Sequence, residues 1–287
     1  MKTTVDKFQF SGHESFHCRQ LWLKKGFDFV EAGKKFSNES AVIDLGVGKN
    51  MVTAIRYWLK AFGLLNETEK PSELARMIFS SKGWDPYLEN EGTLWLLHFQ
   101  LTKAGTASIF NIIFNELRKT KPEFEEKHFY SIVSNFGKFS EATLSKDYSV
   151  FKNTYAVSAS SKSEIEDSYS GILTELGLLT SKKTSAKNDA LVIESKRRPE
   201  IPAQIILYAI LENQEGDSIN FDKLYNERNS VGSIFALNRE GLMEKLEELT
   251  NLYPKEIVFK NEAGIRELQF KKKLNPIKDV LVKYYAS

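Results

Sequence analysis

The sequence predicts a mainly α protein with small β-hairpins, assembled from tandem winged-helix (helix-turn-helix) units. Three observations carry that expectation. Residues 40–65, SAVIDLGVGKNMVTAIRYWLKAFGLL, read as a short apolar helix over Ala41–Leu45, a tight turn on Gly46 and Gly48, and a longer helix that stops before Gly63. From Phe124 the pattern repeats in outline: a helix to Phe136, a turn at Gly137-Lys138, and a helix capped by Ser140 that runs toward Tyr155. Near the C-terminus, Glu256–Phe259 and Arg266–Phe270 flank residues 260–264, a hairpin signature.

Length and charge bound the rest. A chain of 287 residues is long enough for several small domains, here read as 1–105, 106–198 and 199–287. Its 40 basic and 38 acidic side chains give a formal charge of +2, so a nucleic-acid surface has to be a local patch. No run of about 18 apolar residues is present and the N-terminus MKTTVDKFQF has no apolar signal core, so the expectation is a cytoplasmic protein with no membrane partner. The lone Cys18 fits a reducing compartment and reads as a buried or incidental thiol.

In chain order, Phe8-Gln9-Phe10 alternates like a short strand and a helix-like run follows from His13 to Gly26. Inside it, His13-Glu14-Ser15-Phe16-His17 satisfies H-E-x-x-H, in which two histidines one helical turn apart bind zinc and the glutamate acts as general base. Gly12 directly before the motif and the absence of a third ligand at a recognised spacing argue for plain polar residues at a helix start. Arg19, Lys24 and Lys25 sit among Leu21, Trp22 and Leu23, a basic segment suited either to phosphate contact or to a solvated face.

The second helix of residues 40–65 sorts by face, because a helix advances about 100° per residue. Met51, Val52, Ile55, Trp58, Leu59 and Phe62 share the core side. Lys49, Thr53, Arg56 and Lys60 fall within about 60° of one another on the other side, with Asn50 and Tyr57 beside them and no acidic residue among them. Arg and Lys suit guanine edges or phosphates and Asn suits adenine, so this face is the candidate DNA-reading surface. A solvated face of a structural three-helix unit is the bland alternative. Gly46-Val47-Gly48-Lys49 is no phosphate loop: Ile43 stands where that loop needs a small residue, and Asn50 replaces its Ser or Thr.

Asn66–Pro71 reads as a turn, a short helix starts at Ser72, and 93–103 and 108–118 are apolar enough for buried helices, with His98 a satisfied core histidine. The second recognition-like helix carries a mixed polar set, Glu141, Lys146, Asp147 and Lys152. Glu164, Glu166, Asp167 and Glu175 form an acidic helix ending at Gly177. Residues 178–180 and 189–194 pair as a wing whose tip and exit hold Lys182, Lys183, Lys187, Lys196, Arg197 and Arg198, a second candidate phosphate contact through Lys182 and Lys183. Residues 199–202 read as a linker. Beyond it come helices over 203–212, 221–228 and 239–249, the last only slightly weakened by Gly241 and displaying Glu240, Glu244, Glu247 and Glu248, a face that repels phosphate. Val280, Leu281, Tyr284 and Tyr285 mark a terminal helix with a packing or homodimer surface.

Several strings carry a resemblance: residues 10–16 (FSGHESF), Arg19, residues 22–26 (WLKKG), 45–52 (LGVGKNMV) and 55–58 (IRYW). It continues through Asp85-Pro86, residues 93–98, Phe114-Asn115-Glu116, residues 144–155, Glu166-Asp167 and residues 175–178. Over these the chain resembles the prokaryotic domain of unknown function 4007 family, whose pattern includes His13-Glu14 but no histidine at position 17. The resemblance implies no established activity. It implies a DNA-modification or phage-defence context.

The expectation is a DNA-binding regulatory or accessory protein, not an enzyme, with no cofactor and no bound metal, whose partner is double-stranded DNA. The alternative is a non-catalytic scaffold holding protein partners of a defence or DNA-modification complex. A zinc-dependent hydrolase through His13, Glu14 and His17 is the third reading.

Overall fold

The turn between the two helices of residues 40–65 closes on a left-handed glycine. Helix α2 (Ala41–Leu45) ends at Gly46, φ 59°, a conformation that costs glycine nothing, and Val47 N donates back to Val42 O. Gly48 then starts α3 (Lys49–Ala61), whose inner face buries Val52, Ile55, Trp58 and Leu59. Helix α1 (Trp22–Glu31) packs against both, with Leu23 and Phe27 fully or almost fully buried. The computed structural model describes residues 8–156, 171–183, 189–214, 216–262 and 264–286.

The chain forms two compact units, 1–193 and 194–287. The division read at 105/106 falls inside the first unit, and that at 198/199 falls just past the start of the second. The apolar stretches 93–103 and 108–118 account for the first observation. Helix α5 (Glu91–Ala104), capped by Asn90 and closed by Gly105, buries Leu94 through Phe99 without a solvent face. It packs on α6 (Ser108–Ile112), which continues as a π-helical segment (Ile113–Leu117) into α7 (Arg118–Thr120). A helix apolar all round is a core helix, so it binds its neighbours into one unit. His98 is a satisfied core histidine, with Nδ1 2.7 Å from Tyr155 Oη.

The rest of the first unit follows the expected outline with local differences. After α3, Leu65 bridges Pro71, and α4 (Glu73–Phe79) starts at Ser72, whose hydroxyl accepts from Ala75 N. Strand β1 (Glu123–Phe124) precedes α8 (Glu126–Val133), and α9 (Glu141–Tyr155) follows the Gly137 turn. Strands β2 (Thr180–Lys182) and β3 (Ala190–Val192) pair antiparallel, Thr180 opposite Val192, and β1 joins the free edge of β3. Glu164, Glu166, Asp167 and Lys187 lie outside the described residues, and Glu175 sits in a single 3₁₀ turn ending at Gly177.

Two N-terminal expectations are corrected. Residues 8–10 form no strand: Gln9 N donates to Ser108 Oγ at 2.7 Å and Ser108 N donates to Gln9 O, so this backbone docks on the start of α6. The helix-like run from His13 is not helical until Trp22: Ser11, Gly12, Glu14 and Ser15 all have positive φ, which no right-handed helix admits, and Arg19 bridges Gly171.

The second unit holds α10 (Ala203–Asn213), β4 (Ser218–Asn220), α11 (Phe221–Asn226), α12 (Val231–Ile234) and α13 (Arg239–Leu252). The expected hairpin is present as β5 (Ile257–Glu262) and β6 (Ile265–Phe270), with residues 260–262, read as part of its turn, paired in β5; β4, a strand not foreseen, pairs with β6 to give the order β4-β6-β5. The terminal segment is a π-helical stretch (Pro276–Leu281) leading into α14 (Val282–Ala286), and Val280 and Leu281 are buried, packing the stretch on α10. The fold is thus mainly α, with two small antiparallel three-stranded sheets. No described helix is long and apolar enough to cross a membrane.

Candidate nucleic-acid interface

The first turn of α3 opens onto a surface groove of about 840 Å³, lined among others by Arg19, Trp22, Lys25, Gly48, Lys49 and Asn50. Lys49, Asn50 and Thr53 are exposed on the helix. Gly48 offers no side-chain cap, so the first-turn N–H groups add partial positive charge at the groove, and no acidic residue stands in that turn. Arg19 lies over the Trp22 ring, 5.3 Å from its centroid, which holds the guanidinium at the wall. Lys25 Nζ donates to Leu45 O at 3.0 Å and so ties α1 to the end of α2. Leu21, 58% exposed at the start of α1, also lines the groove, and Ile43 on α2 is 84% exposed.

The other predicted positions are placed differently. Lys24 pairs with Asp28 one turn along α1. Lys182 Nζ meets Glu123 Oε2 at 2.9 Å, and Lys183 is exposed beside it, away from the groove lining. Arg56 is exposed and Lys60 half-buried, but the acid-free face is corrected by the following loop. Glu69 Oε1 accepts from Arg56 Nε at 2.6 Å and from Arg56 Nη2, and lies 3.6 Å from Lys60 Nζ. Face arithmetic within one helix does not see a carboxylate delivered from outside it. The Asn66–Lys70 turn that aims Glu69 was the available signal.

Tyr57, assigned to the outward face, is buried at 8% exposure and is corrected accordingly. Its ring lies against Gly12, where an added Cβ would come 2.8 Å from Cδ2, and edge-on to His13. Burial, and then the Asp147 charge, push its hydroxyl well above the usual tyrosine range. Among the described residues the Tyr57 hydroxyl and Asp147 Oδ2 find no hydrogen-bond partner. The ring is drawn inward because the turn at residues 11–15 packs over this side of α3.

That turn also settles the geometry of His13-Glu14-Ser15-Phe16-His17. His13 is 3% exposed: Ser15 N donates to its Nδ1 at 3.1 Å, so Nε2 carries the hydrogen and donates to Asp147 Oδ1 at 3.0 Å. Ser11 N donates to the same oxygen at 2.9 Å. Glu14 points to solvent. The two histidines do not share a helix face, and no group of three His, Cys, Asp or Glu side chains among the described residues is placed to hold a metal. Asp147, counted in the mixed polar set on the recognition-like face of α9, is instead 1% exposed, a second correction. Cys18 is fully buried, and burial pushes its thiol well above the ordinary range.

Two solved structures resemble the chain. One described as "SspB crystal structure" is 30% identical, with a TM-score of 0.83, covering 98% of this chain and 88% of that one. The other, "Magnesium ion-bound SspB crystal structure", is 29% identical with the same TM-score and coverage. No curated protein matches. The model of the family described as protein of unknown function (DUF4007) matches residues 10–285, and the chain belongs to that family.

Proposed function

We propose that the protein is a DNA-binding accessory or regulatory protein that docks the first turn of α3 on double-stranded DNA, in a DNA-modification or phage-defence setting. The observation that carries this reading is the groove at the α3 N-terminus, where Arg19, Lys25, Lys49 and Asn50 converge around an uncapped helix end. Recognition helices of helix-turn-helix proteins meet base edges with their N-terminal residues, and helix N-termini favour phosphate. The contact surface is therefore Arg19, Lys25, Lys49, Asn50 and Thr53, with Arg56 and Lys60 further along the same face. On this reading the β2–β3 and β5–β6 hairpins are the wings of winged-helix-like units, with Lys182 and Lys183 near the tip of the first.

Salt-titrated anisotropy with a labelled duplex tests it, run with and without magnesium because one structural neighbour is described as magnesium-bound. Affinity is expected to fall steeply with salt, and Arg19→Ala and Lys49→Ala each to flatten the slope of log affinity against log salt by about 0.9. Absent or salt-independent binding rejects the reading.

A further inference from the structure

We propose that Glu69 is a built-in competitor for DNA phosphate, holding Arg56 and Lys60 out of non-specific binding until nucleic acid displaces it. The inference rests on the DNA-binding reading above and names the residue that sets selectivity at that site. Two guanidinium nitrogens of Arg56 converge on Glu69 Oε1, and Lys60 Nζ lies 3.6 Å from the same oxygen. The donor fork that matches a phosphate is thereby filled by an acid of the protein's own.

The carboxylate is aimed by its loop. Asn66 Oδ1 accepts from Thr68 N at 3.0 Å and from Lys70 N at 2.9 Å, while Asn66 N donates to Lys70 O and Glu69 N to Asn66 O. Leu65 and Pro71 close the loop by a bridge, and Glu69 itself sits in left-handed backbone, φ 61°. An ordinary surface glutamate loses side-chain freedom to form such a pair; here the loop has already fixed its origin and direction. The pair is nevertheless open to solvent, with side-chain exposures of 47% for Arg56 and 24% for Glu69. Pairs so exposed are weak, so the dense charge of a duplex displaces them. Arg56 and Lys60 share a helix face with Lys49 and Thr53, so a duplex seated on the first turn of α3 runs toward them.

The test compares wild type, Glu69→Gln, Arg56→Ala and the double variant in salt-titrated binding to a mixed-sequence duplex, with melting curves for each. Gln keeps the length and an acceptor oxygen and removes the charge. Glu69→Gln is expected to bind more tightly, with a salt slope steeper by about 0.9 for each cation released. Arg56→Ala is expected to weaken wild-type binding, and to weaken the Gln protein more, because there no carboxylate has first to be displaced from the guanidinium. Glu69→Asp, which retracts the carboxylate, is expected to fall between wild type and Gln and serves as the readout if the Gln protein melts early. Equal binding by wild type and Glu69→Gln, with Lys49→Ala still weakening both, overturns the competitor and leaves the DNA reading standing. An equal loss from Arg56→Ala in both backgrounds overturns it too. Failure of every variant to bind the duplex overturns both.

Discussion

His13 Nε2 donates to Asp147 Oδ1 at 3.0 Å, joining residues 134 positions apart, both almost wholly buried. The contact pins the turn before α1 to the middle of α9, and the Tyr57 ring of α3 is packed against the same histidine. Asp147→Ala leaves the His13 Nε2–H and the Ser11 N–H without an acceptor. A buried donor left unpaired costs about 1–3 kcal/mol, and His13 is buried whereas Ser11 is exposed. Asp147→Ala is therefore expected to lower the stability of the first unit by about 1–3 kcal/mol, with Asp147→Asn, which keeps an acceptor oxygen, losing less. Urea titrations of both variants check this, and equal midpoints for Ala and wild type contradict it.

What the sequence disclosed here was local. The α2–α3 turn was legible because Gly46 and Gly48 punctuate two periodic runs, and the β5–β6 hairpin because alternation and turn residues coincide. The His13–Asp147 pair was not, since nothing in the spacing of a short polar string says which helix will cover it. Asp147 was for the same reason counted in the mixed polar set of α9. The candidate site was half legible: Lys49, Asn50 and Thr53 face outward as periodicity requires, whereas Tyr57 is claimed by the 11–15 turn and Arg56 by Glu69. Both departures arise from contacts between elements, which helical arithmetic does not contain.

Gly241 illustrates the same point with an opposing pair of effects. In the first turn of α13 its missing side chain faces the backbone of Arg197, and an added Cβ would lie 2.3 Å from the Arg197 carbonyl oxygen. Ala gains up to about 1 kcal/mol of helix propensity over Gly. Overpacking against a backbone atom costs about 1–3 kcal/mol, and a main chain held by its own hydrogen bonds does not yield cheaply. Clash wins, so Gly241→Ala is expected to destabilise the second unit. A thermal melt showing a raised midpoint would reverse this ordering.

Cys18 gives a solvent-access reporter for the first unit. Its thiol is fully buried and its pKa is raised by that burial, so at mildly alkaline pH it stays protonated in the folded chain and ionises more readily once unfolded. The thiolate is the reactive form. Native protein is expected to resist an aromatic disulfide reagent at about pH 8, with stoichiometric reaction after denaturation. Native reaction at the rate of a free thiol would show that the N-terminal segment opens readily.

Lys49 and Asn50 are adjacent and exposed, yet their chemistries separate affinity from selectivity. An ammonium group meets phosphate without regard to sequence, so Lys49→Ala is expected to weaken binding to every duplex by a similar factor. The Asn50 amide presents a donor and an acceptor side by side, the match for adenine in the major groove, and one such pair discriminates by about 1–3 kcal/mol. Asn50→Ala is therefore expected to flatten the base preference at one position of a randomised duplex pool while leaving the salt slope unchanged. Thr53, one turn further along the same face, lacks the paired donor and acceptor, and its replacement by Ala is expected to alter the preference less. Binding selections on the pool with each variant decide between these outcomes: a loss of preference in Lys49→Ala would assign base reading to Lys49, and an unchanged preference in Asn50→Ala would mean that Asn50 reads no base.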